Sequence, residues 1–132
     1  MPELLEGPAM TDIVTPATVL IVDDDALINI GTADMLTDLG HRALEAYSGR
    51  EALDILERGE VVDLLITDYS MPGMNGLELA ERARQLRPSL PVLLVSGYDE
   101  LPDGQTTDIP RLSKPFMPAQ LLDCLRAALA RD

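Results

Sequence analysis

The 132 residues carry 23 acids against 10 Lys and Arg, a formal net charge of −13. That length fits one domain and leaves no room for a second, and the charge argues against nucleic-acid binding, which needs Lys and Arg for the phosphate backbone, while it suits a cation or a basic partner. Apolar residues make up 46% and aromatics 3%, so a core is available from Leu, Val, Ile, Ala and Met, but no run approaches the roughly 20 apolar residues that cross a membrane.

Residues 1–17 hold Pro2, Pro8 and Pro16 and no sustained periodicity. They read as a flexible lead-in to one domain over 18–132. The opening MPELLEGPAM lacks a basic stretch followed by an apolar one, so no secretory signal is expected. Next, TVLIV (18–22) is a β-branched run that stops at three acids. A helical pattern follows, with Ile28, Thr32, Met35, Leu36 and Leu39 on one stripe and Gly40 as its stop. RALEA (42–46) reads as a more polar strand near a sheet edge, with His41 just before it as a solvated surface residue. Ser48 and Glu51 have the spacing of a capping box, opening a helix that runs to about Arg58. VDLLIT (62–67) is a third strand, and LELAERARQL (77–86) a helix ended by Pro88. PVLLVS (91–96) is a fourth strand and IPRLS (109–113) a short fifth. Pro118 fits a first helical turn, and Leu121, Leu122, Leu125, Ala128 and Leu129 form the last helix's stripe. Cys124 packs against or borders that stripe; as the one cysteine it excludes an internal disulfide and fits a reducing, cytoplasmic setting.

Strands alternating with helices imply right-handed crossovers and a doubly wound parallel α/β sheet covered on both faces. In such sheets ligands bind beyond the carboxyl ends of the strands. Those ends carry Asp23, Asp24 and Asp25, then Asp68, then Ser96 and Gly97, then Lys114 and Pro115. Each has a bland reading: Asp25 as a helix N-cap, Asp68 as a turn cap, Ser96 as a backbone partner, Lys114 as a surface lysine. Together they ask for more. Three carboxylates on adjacent strand ends raise one another's pKa unless a cation sits among them. Their hard oxygens suit Mg²⁺, which keeps several waters and takes one or two carboxylates plus a phosphate.

VDDD (22–25), DYSMPGMNG (68–76), VSG (95–97) and KPF (114–116) resemble the receiver domains of two-component response regulators. The motifs keep that family's order and span nearly the whole chain. The resemblance implies a flavodoxin-like, three-layer α/β/α fold with a five-stranded sheet in the order 2-1-3-4-5. It further implies that Asp68 is the phosphoacceptor, that Asp23 and Asp24 are the acidic pair, and that the backbone carbonyl of Ser70 joins Asp23, Asp24 and Asp68 around Mg²⁺. Ser96 matches the switch hydroxyl and Lys114 the phosphate-binding lysine. The implied partner is a histidine kinase or a histidine phosphotransfer protein. Phosphoryl transfer asks mainly for positioning and charge, which gives the stiff loop at 71–76 its purpose. Pro72 fixes one φ angle, Gly73 and Gly76 permit turns closed to other residues, and Met71 and Met74 are packing residues.

Two features depart from the family pattern. Arg111 stands where many receivers have an aromatic that turns inward on activation. Its guanidinium is expected in solvent or paired with Asp103 or Asp108, with its stem along the sheet. The stretch 97–114 contains Pro102, Gly104 and Pro110 and no helical stripe, so the fourth helix is expected to be shortened or absent. Two other functions compete. One is an aspartate-nucleophile phosphohydrolase, for which Asp23-x-Asp25 and LLVSG offer a superficial match. It lacks the Thr or Val expected at Ala26-Leu27 and leaves DYSMPGMNG unexplained. The other is a pseudo-receiver that binds partners without phosphate, although every usual site position is filled.

Overall fold

A computed structural model of the protein describes residues 16–97 and 109–129. Its elements run β1 (Thr18–Val22), α1 (Ala26–Asp38), β2 (Arg42–Ala46), α2 (Gly49–Glu57), β3 (Leu64–Asp68), α3 (Gly76–Leu86), β4 (Val92–Ser96), β5 (Arg111–Ser113) and α4 (Pro118–Leu129). The five strands form one sheet in the order β2-β1-β3-β4-β5, and every pairing is parallel. The parallel, doubly wound sheet expected from the alternation is therefore present, in the flavodoxin-like order that the resemblance implies. The apolar runs become the central strands: β3 and β4 are buried at every position, as central strands covered on both faces must be.

Because successive side chains alternate across a strand, the two cores divide the same residues. Leu20, Val22, Leu65, Val92 and Leu94 face α2 and α3, where Leu53, Leu56, Leu79 and Ala83 meet them. Val19, Ile21, Leu64, Ile66, Leu93 and Val95 face α1 and α4, against Leu36, Leu121 and Leu125. Met71 and Met74 pack on the first core and Cys124 on the second, as expected of packing residues. RALEA lies at the sheet edge, with its first residue exposed.

Four details differ from the sequence reading. The stripe of α1 holds at Thr32 and Leu36, which are buried, and at Met35 and Leu39, which pack on the second core, but at its start Asn29 is buried in place of the expected Ile28, which is 37% exposed. The Asp25 carboxylate accepts from the N–H groups of Leu27 and Ile28, which makes it the N-cap expected of it. At α2 only half of the expected capping box forms. Ser48 Oγ accepts from the Glu51 N–H, but Glu51 Oε1 accepts from the N–H of Tyr47, one residue too early. A complete box opens α3 instead, between Asn75 and Glu78. Lastly, His41 is not a solvated surface residue. It is 5% exposed, and its Nδ1 accepts from the buried Ala17 N–H at 3.1 Å. A neutral ring satisfies that amide where the chain enters β1, and burial lowers the His41 pKa. His41 does lie on the rim opposite the acids, at the entrance to β2. The expectations for residues 1–15 and for the segment at 98–108, including a shortened fourth helix and the pairing of Arg111 with Asp103 or Asp108, lie outside the described residues.

Candidate phosphoacceptor site

The acidic rim is built by the sheet. Val22 pairs with Thr67 in register, so Asp23 emerges from β1 beside Asp68, the last residue of β3. The Asp23 N–H continues the ladder to the Ala46 carbonyl at 3.2 Å. Its Oδ1 then accepts from the Asp25 N–H at 2.9 Å, which turns the chain into α1. Asn29 fastens this turn: Nδ2 donates to the carbonyls of Asp23 at 3.0 Å and Ala46 at 2.9 Å. Sequence reasoning missed Asn29. A polar residue in phase with Thr32 and Leu36 was the available signal, once the helix is counted from its N-cap and not from its apolar residues.

Asp23, Asp24 and Asp68 each bring one carboxylate oxygen within 4.8 Å of the others. Asp23 and Asp68 are buried, at 5% and 4% exposure, while Asp24 is open to solvent. Lys114, just beyond β5, holds its Nζ 2.6 Å from Asp68 Oδ1 and 3.7 Å from Asp23 Oδ2. Burial pushes the Asp23 pKa up and the neighbouring Asp24 and Asp25 charges add to this, whereas the Asp25 N–H and the Lys114 ammonium work against it. The outcome is a site with more negative charge than its one lysine offsets, the condition under which a divalent cation binds favourably.

The loop after Asp68 is locked to the same spot. The Tyr69 N–H donates to the Val95 carbonyl and the Gly76 N–H to the Tyr69 carbonyl, both at 2.8 Å. Gly73 takes a positive φ of 80°, as expected. Gly76 is required for another reason: a Cβ there would run into the Asp68 carbonyl oxygen and the Leu94 side chain. Ser70 is exposed within this loop. Across the sheet, Ser96 is completely buried, and its carbonyl accepts from the Lys114 N–H at 2.9 Å. The Ser96 hydroxyl has a partner the sequence did not suggest. Arg111 Nη2 donates to Ser96 Oγ at 3.0 Å, so the guanidinium reaches the rim and does not simply stand in solvent. A larger cleft of about 600 Å³, between Pro16, Val62, Arg87 and Leu129, lies on the opposite rim and has none of these groups.

The response regulator receiver domain model matches residues 19–126. The chain belongs to the response regulator receiver family. Among similar proteins, the sensor kinase CckA of Brucella abortus is 35% identical over 129 residues, covering 92% of this chain and 13% of that protein. A chemotaxis protein CheY homolog of Campylobacter jejuni is 38% identical over 117 residues, covering 83% of this chain and 90% of that one. A receiver protein structure from Sinorhizobium medicae superposes with a TM-score of 0.79 at 30% identity, covering 89% of this chain and 98% of that one. The receiver domain of the hybrid histidine kinase CckA gives 0.73 at 32%, covering 85% and 98%. This is a receiver domain of two-component signalling, and relatives of both kinds, a module within a long kinase and a protein of about its own length, resemble it. Among the described residues of this receiver, no helix is long and apolar enough to cross a membrane.

Proposed function

We propose that this receiver accepts a phosphoryl group on Asp68 from a histidine kinase or histidine phosphotransfer protein and acts as a regulatory switch in the cytoplasm, not as an enzyme of metabolism. One observation carries the reading: the buried Asp68 carboxylate lies 2.6 Å from the Lys114 ammonium and within 4.8 Å of oxygens from Asp23 and Asp24. A carboxylate is a poor nucleophile toward an anionic phosphoryl group unless charge on both is offset. In the proposed transfer, one Asp68 oxygen forms the new P–O bond as the donor's P–N bond breaks. The imidazole nitrogen leaves with that electron pair and takes up any proton it needs from solvent. The product is an aspartyl phosphate. Lys114 supplies a fixed positive charge to the phosphoryl oxygens, and the buried Ser96 hydroxyl donates to one of them.

The donor set fits Mg²⁺. Asp24 and Asp68 would hold it directly, Asp23 through water, and the Ser70 carbonyl would add a backbone oxygen. When bound, the ion offsets the charge that three carboxylates and a phosphoryl group bring together. The exposed Leu27, Ile28 and Ile30 on the first turns of α1 flank the acids and offer apolar contact to a docking phosphodonor protein. The domain reading, a lead-in over 1–17 and one receiver over 18–132, forms part of the same proposal. Incubation with phosphoramidate or acetyl phosphate and Mg²⁺, followed by intact-mass measurement, tests it. One phosphoryl group is expected on the wild-type chain, and none on Asp68→Asn or in excess EDTA. Undiminished labelling of a folded Asp68→Asn protein would refute the assignment.

A further inference from the structure

Arg111 is exposed on the short edge strand β5, yet its Nη2 lies 3.0 Å from Oγ of Ser96, a side chain with no exposed surface. The register explains the reach. Arg111 pairs with Leu94, two residues before Ser96 on the same face of β4, so the long side chain runs along the neighbouring strand toward the acidic rim. A guanidinium has five donors and no acceptor, whereas a serine hydroxyl has one hydrogen and two lone pairs. Ser96 must therefore be the acceptor in this bond. Its own hydrogen is not used there and remains to be donated elsewhere. Donation from a cation also polarises the hydroxyl and strengthens the bond that the hydroxyl makes in turn.

We propose that Arg111 is a positioning residue that fixes Ser96 as a hydrogen-bond donor to a phosphoryl group on Asp68, through the chain Arg111 to Ser96 to phosphoryl oxygen. This rests on the reading of Asp68 and Ser96 given above and assigns a function to a side chain outside the acidic cluster. It also predicts which replacement is tolerated. Lysine keeps a cationic donor on a long stem and should conserve part of the effect, whereas alanine removes the donor and leaves the Ser96 hydroxyl free to turn.

The test is a double-mutant cycle read by binding. The full chain with Mg²⁺ is titrated with beryllofluoride, a phosphoryl mimic, and followed through its amide resonances, Ser96 among them. Arg111→Ala is expected to weaken the apparent affinity about fivefold, the scale of one charge-assisted hydrogen bond at a partly exposed site. Arg111→Lys should recover part of that loss. In a Ser96→Ala background, Arg111→Ala should cost nothing further, because the relay is already broken. Arg111 is exposed, so melting curves of its variants should match the wild type and exclude a folding defect. If the wild-type chain binds no beryllofluoride and takes no label from phosphoramidate, both this inference and the phosphoacceptor reading fall. If the wild type binds and Arg111→Ala binds equally well, the reading stands and the relay is wrong. An equal loss in both Ser96 backgrounds would also overturn the relay, since Arg111 would then act by charge alone.

Discussion

Asn29 ties the carbonyl ends of β1 and β2 together through its two donations to Asp23 and Ala46. Replacing it by Ala removes both donations in a buried place, although the Ala46 carbonyl keeps the Asp23 N–H, a loss of about 2 kcal/mol. Chemical denaturation of Asn29→Ala should show that loss, and phosphoramidate labelling should slow because the turn carrying Asp23 and Asp24 loosens. Wild-type stability in the variant would mean that the amide has no structural role. His41 predicts a pH dependence. Its Nδ1 accepts from Ala17, so the folded state needs the neutral ring, and burial holds its pKa below the ordinary 6.5. The unfolded chain therefore binds the proton more readily, and this contribution to stability is present above pH 6.5 and declines as pH falls from there toward the lowered folded value. His41→Asn, which can still accept from Ala17 but does not titrate, should flatten the fall in melting temperature between pH 7.5 and pH 5.5 (about one unit either side of the ordinary histidine value). An unchanged slope would show that His41 does not control it.

At the scale of elements, α1 divides its work between two surfaces. Asn29, Thr32 and Leu36 face the sheet, while Leu27 at 79% exposure and Ile30 at 49% face outward beside the acids. If these apolar residues serve docking, Leu27→Asp combined with Ile30→Asp should slow transfer from a phosphorylated histidine phosphotransfer protein about tenfold or more, the scale of losing two interface anchors. Labelling by phosphoramidate should be unchanged, since a small donor needs no such contact. Equal slowing with both donors would place the defect in the site instead. These same residues explain what the sequence could and could not tell. The strands were legible because β1, β3 and β4 carry unbroken apolar runs at 19–22, 64–66 and 92–95, and the strand-end rule then located Asp23, Asp24, Asp68, Ser96 and Lys114 from order alone. The first turn of α1 was not legible, because Leu27, Ile28 and Ile30 are apolar yet exposed and Asn29 is polar yet buried. Nor were the His41–Ala17 and Arg111–Ser96 contacts, which join residues 24 and 15 positions apart and exist only once neighbouring strands are in register.

For the molecule as a whole, charge is the dominant stress. The chain carries a net charge of −13, and three of its carboxylates converge at Asp23, Asp24 and Asp68. A cation that binds there stabilises the folded chain by mass action, about 1.4 kcal/mol at ten times its dissociation constant. Millimolar Mg²⁺ should thus raise the melting temperature of the wild type, and Asp24→Ala should abolish most of the rise. A melting temperature indifferent to Mg²⁺ would argue against the metal. Of the three clustered carboxylates, Asp68 is the proposed phosphate carrier. It occupies the end of the central strand β3, faces Lys114 at the shorter distance, and begins the loop that Gly73 and Gly76 hold in place. Borohydride trapping of the acyl phosphate after treatment with phosphoramidate and Mg²⁺, followed by peptide mass spectrometry, decides which carboxylate is modified. The modification is expected on Asp68 alone; modification of Asp23, with Asp68 untouched, would contradict the account and favour a phosphohydrolase.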